Sequence, residues 1–175
     1  MIKISLDCDG TLFDFWSAYD KKFKNTPNYL DNYRITRNVR KLMNNKEFWE
    51  NLELLERPNF EPCNYCTRRI NSKVYTRNCM MKHDLPVKPI YQVLTQRRNK
   101  AEIIKGRCDV LIDDSEFNVR QCISAGVPAL LIDRPTNQNN NMFCRIFSLD
   151  YAEIEDAYDF LKFQLRYDYY AKQEI

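Results

Sequence analysis

Two pairs of carboxylates stand where chemistry on an anionic substrate would need them. Asp7 and Asp9 follow a short apolar run in ISLDCDGT, and Asp113 and Asp114 follow another in VLIDDS. Open α/β sheets bind ligands at the carboxyl ends of their strands, so two strands that end in acids predict one acidic cluster. Carboxylates held this close repel one another unless a cation lies among them, and oxygen-only ligands favour magnesium over zinc.

Each pair also has an ordinary explanation. Asp-Gly is common in turns, and an Asp-Asp pair often contains a helix N-cap beside a solvated neighbour. The occurrence of both pairs directly after apolar runs, in this order, favours the metal-site interpretation.

The segments that must position these acids are short apolar runs that alternate with helical patterns, as is typical of an α/β protein with crossover helices. The predicted strands are 2–6, 64–66, 89–94, 109–112 and 129–132. The predicted helices are 70–84, 100–105, 116–126 and a closing amphipathic helix over 151–171. In the third of these helices, Phe117, Val119, Cys122 and Ile123 have the spacing of one apolar face. We therefore expect a Rossmann-like parallel sheet of five strands.

Residues 15–58 interrupt this alternation. The segment is too long for an ordinary connection and carries many aromatic residues in a helical, charged background. We expect a small helical cap inserted after the first strand, with residues 1–14 and 59–175 forming the core.

Composition limits the class of protein. The chain has 175 residues, a size that suits one domain, and its net charge of +3 from 27 basic and 24 acidic residues argues against an obligate nucleic-acid partner. No apolar run is long enough to span a membrane. The seven cysteines are scattered and odd in number, which predicts reduced thiols and a cytoplasmic protein.

Four residues imitate a zinc site: Cys63, Cys66, Cys79 and His83 have the spacing C-x2-C-x12-C-x3-H. In an extended strand, however, the two cysteines of C-x2-C would lie about 10 Å apart on opposite faces. We therefore favour buried packing cysteines, with a zinc site as the alternative.

DCDGTLFD resembles the first motif of the haloacid dehalogenase superfamily of phosphatases, D-x-D-G-T-apolar-x-D, and VLIDDS resembles its fourth motif. EFWENLELL, YCTRR and NKAEIIKGRCDVLIDDSEFNVRQCISAGVPALLID are similar to the 5'(3')-deoxyribonucleotidase branch and its small phage and bacterial relatives. The resemblance covers most of the chain up to the last predicted strand.

The resemblance implies a role for each matching residue. Asp7 would attack phosphorus and become an aspartyl phosphate, and Asp9 would protonate the leaving oxygen and later activate water. Thr67 would bind a phosphate oxygen, and Lys100 would neutralise the phosphate and the nucleophile. Lys105, on the same predicted helix, is a rival for the lysine, and Thr67 could instead cap the helix that follows.

The implied cofactor is Mg²⁺. Its ligands would be the carboxylates of Asp7 and Asp114 and the carbonyl of Asp9, and Asp113 would bind through water or support the site. Arg68 and Arg69 depart from the deoxyribonucleotidases, which usually have small residues there. Arg68 would suit a further phosphate contact, although both arginines could equally be solvated.

Substrate specificity would come from the cap, because residues that bind only the phosphate group and the metal cannot distinguish one phosphomonoester from another. Phe15, Trp16 and Trp49 are the preferred lining residues, since aromatic rings stack on bases, although such rings could also form the cap's own core. The resulting prediction is a Mg²⁺-dependent phosphomonoesterase, foremost a 5'-nucleotidase, whose partner is a small phosphomonoester. The alternatives are a sugar phosphate or a nucleic-acid 3'-phosphate as substrate, or a non-catalytic or zinc-stabilised binding module. The oligomeric state stays open.

Overall fold

Six short strands form one parallel sheet in the computed structural model, which describes residues 1–23, 32–94, 98–138 and 144–171. The strands are β1 Ile4–Leu6, β2 Asn64–Thr67, β3 Ile90–Gln92, β4 Val110–Asp113, β5 Ala129–Ile132 and β6 Arg145–Ile146. Their order across the sheet is β3-β2-β1-β4-β5-β6, and every neighbouring pair is parallel. The parallel α/β architecture is therefore as predicted.

The sheet has one strand more than the five predicted. β6 contains two residues and pairs with β5 in the register Leu131↔Arg145 and Ile132↔Ile146. A strand of two residues shows no periodicity that a sequence pattern could reveal, which is why it was missed.

The helices begin and end close to the predicted positions, and several begin at a side-chain cap. They are α1 Phe15–Phe23, α2 Asn32–Leu42, α3 Lys46–Glu50, α4 Lys73–Lys82, α5 Lys100–Ile104, α6 Glu116–Ser124 and α7 Tyr151–Ala171. Asn45, Ser72 and Asn99 accept hydrogen bonds from backbone N–H groups in the first turns of α3, α4 and α5. These caps satisfy donors that a helix start leaves without an intrahelical partner.

Helix α6 corrects one prediction. Phe117, expected on its apolar face, is 62% exposed, whereas Asn118, Val119 and Cys122 are buried. The helix is oriented so that the Asn118 amide reaches Asp113 on β4, and in this orientation the neighbouring Phe117 faces out of the core.

Helix α7 packs its predicted apolar face on the sheet, and its residues Ile154 and Leu161 have no exposed surface. None of the helices in the described part of the chain is both long and apolar enough to cross a membrane.

Helices α1, α2 and α3 lie between β1 and β2, and the ends of this insertion are paired. Phe13 forms an antiparallel bridge with Leu54, and the Leu55 N–H donates to the Leu12 carbonyl at 2.8 Å. Phe15 and Trp49 belong to the same hydrophobic core as the strands. The two ends of the insertion are thus joined, and Phe15 of α1 and Trp49 of α3 pack in the core with the strands.

Candidate active site

The acids are brought together because β1 and β4 are neighbours in the middle of the sheet. The register Leu6↔Ile112 makes Asp7 and Asp113 leave adjacent strands at the same level. Asp7 and Asp113 are buried, and Asp114 is partly exposed. One carboxylate oxygen from each of the three lies within 4.8 Å of the others. Three of the four acids predicted to cluster are therefore brought together, whereas the Asp9 carboxylate binds Arg69 instead.

Lys100 is the cation of this cluster. It is the first residue of α5, is only 1% exposed, and donates from Nζ to Asp7 Oδ1 at 2.5 Å and to Asp113 Oδ2 at 2.6 Å. Lys105 is exposed at the other end of α5. Of the two lysines considered, the structure places Lys100 on the acids.

Burial dominates the electrostatics of the cluster. It raises the pKa of Asp7 to about 7, with Asp113 and Asp9 adding to the effect and Lys100 opposing it. Burial, followed by the charges of Asp113 and Asp7, holds the pKa of Asp114 well above its usual range. One lysine therefore does not balance three carboxylates.

Gly10 makes room for Asp114. Its φ of +78° lies in the left-handed region, and a Cβ atom at this position would be 2.0 Å from Asp114 Oδ2. Glycine thus lets the loop after β1 close over the Asp114 carboxylate. The oxygen-only donors, their excess negative charge and this close approach all suit Mg²⁺.

Asp113 is held by the protein on every side. Besides Lys100, its carboxylate accepts from the Ser115 backbone N–H at 2.9 Å and from Asn118 Nδ2 at 3.1 and 3.2 Å. These donors occupy most of its acceptor sites, which favours a supporting role over direct metal ligation. Asn118 was not anticipated, because an amide on a mostly polar helix gives no sequence signal of its direction.

Thr67 ends β2, and the register Leu6↔Tyr65 places the end of this strand beside the Asp7 loop. Its hydroxyl is buried and accepts from the Arg69 backbone N–H at 3.2 Å. The cap of α4 is Ser72, so Thr67 does not have the N-cap role that was its alternative.

Arg69 is the main residue that the sequence did not place. It is 2% exposed and donates hydrogen bonds to the Asp9 carboxylate: Nε lies 3.0 Å from each oxygen, and Nη2 lies 2.7 Å from Oδ1. Its guanidinium carbon lies 5.2 Å from the ring centroids of both Phe13 and Trp49. The possibility of a solvated Arg69 is therefore wrong.

The aromatic residues predicted to line the site take other positions. Trp49 is 1% exposed and packs on Arg69, and Phe15 is buried and stacks on Trp49 with 5.8 Å between ring centroids. Both rings are core, because Trp49 lies over a buried guanidinium and Phe15 stacks on Trp49 rather than facing an open pocket. Trp16 is partly exposed and packs at the edge of this cluster.

Arg68 is directed to α6. Its Nε donates to Asn118 Oδ1 at 3.0 Å, Nη2 lies 3.4 Å from Gln121 Oε1, and the guanidinium carbon is 5.9 Å from the Phe117 ring centroid. The chain Arg68, Asn118, Asp113 and Lys100 thus links the end of β2 to Asp7 by hydrogen bonds.

The loop after β5 supports the other side of the site. Arg134 donates to the carbonyls of Gly10 and Thr11 at 3.1 and 3.0 Å, and Asn137 Nδ2 donates to the Asp114 carbonyl at 2.8 Å. These contacts hold the two acid-bearing loops together. They join distant parts of the chain, so no local pattern reveals them.

The cysteines do not form a metal site. Within the described ranges, the acidic cluster is the only group whose ligand atoms lie close enough together to hold a metal ion. Cys66 is core, Cys63 Sγ lies 3.6 Å from the Arg107 carbonyl, and Cys79 Sγ and His83 Nε2 both contact the Leu52 carbonyl. All seven thiols are free. This geometry supports the packing interpretation.

This chain is similar to known proteins in its structure and not detectably in its sequence. No protein-family model and no curated protein sequence matches this chain. A HAD-superfamily hydrolase of subfamily IA, variant 1, from Geobacter sulfurreducens PCA superposes with a TM-score of 0.53 at 16% identity, covering 85% of this chain and 96% of that one.

Two further hydrolases superpose less well. One is a HAD-superfamily hydrolase from Ehrlichia chaffeensis, with a TM-score of 0.42, 15% identity and coverage of 93% of this chain and 96% of that chain. The other is a haloacid dehalogenase-like family hydrolase from Streptococcus pneumoniae, with a TM-score of 0.45, 13% identity and 90% coverage of each chain. At these scores they add nothing to the comparison with the Geobacter protein, which shows that this chain has the fold of a HAD-superfamily hydrolase.

Proposed function

We propose that the chain is a Mg²⁺-dependent phosphomonoesterase that works through an aspartyl phosphate on Asp7. The observation that carries the proposal is the buried Lys100 ammonium, shared between Asp7 and Asp113 at the carboxyl edge of the sheet. Folding alone does not require such an arrangement, because burying charges costs several kcal/mol per ion before their attraction is counted. A carboxylate nucleophile facing a phosphate dianion does require it.

Asp7, Asp114 and the Asp9 carbonyl would hold Mg²⁺, which when bound supplies positive charge against the phosphate and the nucleophile. In the first step a carboxylate oxygen of Asp7 forms a bond to phosphorus while the ester P–O bond breaks. Asp9 gives its proton to the leaving oxygen. In the second step Asp9 takes a proton from water as the water oxygen attacks phosphorus, which returns Asp7 as a carboxylate and releases inorganic phosphate.

The protein groups that serve this reaction are fixed before substrate arrives. Lys100 holds Asp7 by one oxygen, and Asp113 holds Lys100. Thr67 ends the neighbouring strand, where its hydroxyl would bind a phosphate oxygen. Such preorganised groups accelerate reaction because they need no rearrangement when charge shifts in the transition state.

The substrate class in this proposal is a nucleoside 5'-monophosphate. Its support is the resemblance of the motifs to the deoxyribonucleotidase branch. Of the aromatic residues considered for base stacking, Trp16 retains an accessible surface. Sugar phosphates and nucleic-acid 3'-phosphates are the competing substrates within the same chemistry.

The test is hydrolysis of 4-nitrophenyl phosphate and a panel of nucleoside monophosphates and sugar phosphates, each with Mg²⁺ and with a chelator. Asp7→Asn is the inactive variant, and Asp156→Asn on the exposed side of α7 is the matched control. We expect activity in the wild type and the control with Mg²⁺ only. An active Asp7→Asn variant would contradict the proposal that the reaction passes through an aspartyl phosphate on Asp7.

A further inference from the structure

We propose that Arg69 is a positioning residue that orients Asp9 for proton transfer. The proposal rests on the proposed function, because it concerns the step in which Asp9 protonates the leaving oxygen. It assigns a purpose to a buried arginine that neither the metal nor the phosphate requires.

The contacts define one orientation of Asp9. Oδ1 accepts from both Nε and Nη2 of Arg69, at 3.0 and 2.7 Å, whereas Oδ2 accepts from Nε at 3.0 Å. The Asp9 side chain is 22% exposed, and that of Arg69 has no exposed surface. The guanidinium therefore covers the inner side of the carboxylate and leaves Oδ2 as the oxygen that can approach a leaving group.

The guanidinium is itself immobilised. Phe13 and Trp49 lie 5.2 Å from its central carbon, and Nη1 lies 3.3 Å from Thr76 Oγ1. Phe13 stands at the base of the insertion, Trp49 is on α3, and Thr76 is on α4. Three separate parts of the chain thus fix the group that holds Asp9.

Stability alone is a poor reason for this pair. Replacing a buried ion pair with well-packed apolar side chains is often neutral or stabilising. The planar guanidinium of arginine can hold a carboxylate in one orientation, whereas the ammonium group of lysine cannot. The geometry suits control of direction, which matters when a proton must reach a particular atom.

The more basic the leaving oxygen is, the more the reaction rate depends on the proton from Asp9. As the P–O bond breaks, a strongly basic leaving oxygen must take the proton, whereas a weakly basic phenolate departs without it. Loss of Arg69 should therefore slow hydrolysis of phenyl phosphate and hardly affect 2,4-dinitrophenyl phosphate.

The experiment measures kcat/KM on phenyl, 4-nitrophenyl and 2,4-dinitrophenyl phosphate with Mg²⁺ for Arg69→Met and Arg69→Lys. We expect a loss on the order of 10-fold to 100-fold on phenyl phosphate and less than about 3-fold on the dinitrophenyl ester. Arg107→Met is the matched control, because Arg107 also lies over an aromatic ring, that of Tyr91 at 5.3 Å, and precedes the start of β4, whereas Asp113 stands at the end of that strand. It should change neither rate.

A second measurement separates positioning from direct substrate binding. If Arg69 acts through Asp9, adding Arg69→Met to Asp9→Asn changes kcat/KM by less than about 2-fold, because the group being oriented has already lost its function. The double variant should also have a higher urea midpoint than Asp9→Asn alone, since the latter leaves a buried guanidinium without its carboxylate.

The outcomes are distinct. A wild type that hydrolyses no phosphate ester removes both this proposal and the proposed function. An active wild type whose Arg69 variants lose the same factor on all three esters, or lose activity further in the Asp9→Asn background, overturns the role of Arg69 alone. If Arg69→Met does not fold, Arg69→Lys decides the matter, because it keeps the charge and loses the fork.

Discussion

Replacing Gly10 with alanine should weaken Mg²⁺ binding by displacing Asp114. The new Cβ atom would lie 2.0 Å from Asp114 Oδ2, and real Cβ contacts are essentially never shorter than 3.0 Å, so the carboxylate must retreat by roughly 1 Å or the loop must open. Mg²⁺ demands near-ideal octahedral geometry. We therefore expect at least a tenfold loss of Mg²⁺ affinity, which corresponds to about 1.4 kcal/mol.

The same substitution also strains the backbone, and the chain offers controls for that effect. Gly106 and Gly126 have φ values of +75° and +73°, and no other atom lies within 4 Å of the point that a Cβ atom would occupy on either residue. Alanine at either position carries the left-handed strain of about 1–2 kcal/mol without any clash. Comparing Gly10→Ala with Gly126→Ala therefore isolates the contact with Asp114.

The assay is the thermal denaturation midpoint as a function of Mg²⁺ concentration, supported by calorimetric titration. Wild type and Gly126→Ala should show the same Mg²⁺-induced rise, displaced only by a constant loss of stability. Gly10→Ala should need at least tenfold more Mg²⁺ for that rise and should lose hydrolysis at limiting Mg²⁺. A Mg²⁺ response of Gly10→Ala equal to that of Gly126→Ala would refute the assignment of Asp114 as a metal ligand.

Three further predictions concern the charges of the cluster. Asp7→Asn should abolish aryl phosphate hydrolysis while the far-ultraviolet circular dichroism spectrum stays that of the wild type. Measurable turnover by this variant would contradict the role of Asp7 as the nucleophile. Lys100→Met should lower the free energy of unfolding at pH 8 by about 3–5 kcal/mol, because it leaves two buried carboxylates unpaired. The loss should be smaller at pH 5, because burial raises the pKa of Asp7 to about 7 and its carboxyl group can then be protonated. Urea titrations at both pH values check this prediction, and equal losses at the two pH values would contradict it. Because burial raises the pKa of Asp7 from 3.8 to about 7, the folded protein without metal keeps a proton that the unfolded chain releases, so this group's contribution to stability is lost as pH rises from about 4 to 7. Mg²⁺ should accordingly raise the denaturation midpoint more at pH 8 than at pH 5, and a pH-independent effect of Mg²⁺ would exclude Asp7 as its ligand.

The sequence predicted the parts of the site that follow directly from strand ends. Asp7 and Asp113 each come after a buried run of apolar residues, so parallel pairing alone brings them together. Lys100 was predicted at a helix start by its resemblance to a motif, and Asn99 supplies the cap that begins the helix there. Local patterns suffice when backbone geometry alone determines the position of a side chain.

Other parts of the site depend on packing between distant segments. Arg69 and Arg134 find their partners 60 and 124 residues away, and Asn118 depends on how α6 is rotated. The aromatic spacing of the insertion correctly indicated an apolar face, but it could not show that a guanidinium covers Trp49. Periodicity reveals that a face is buried and not what buries it.

The contact between Trp49 and Arg69 limits how the insertion can be exchanged. Trp49 belongs to the inserted segment and packs on the guanidinium that holds Asp9. A chimera that replaces residues 15–58 with a segment from another protein of this fold would therefore remove one wall of the Arg69 site together with any substrate contacts. Exchanging the insertion to change the substrate preference would therefore also change the rate of hydrolysis. The rate would be kept only if the new segment placed an aromatic ring where Trp49 packs on Arg69.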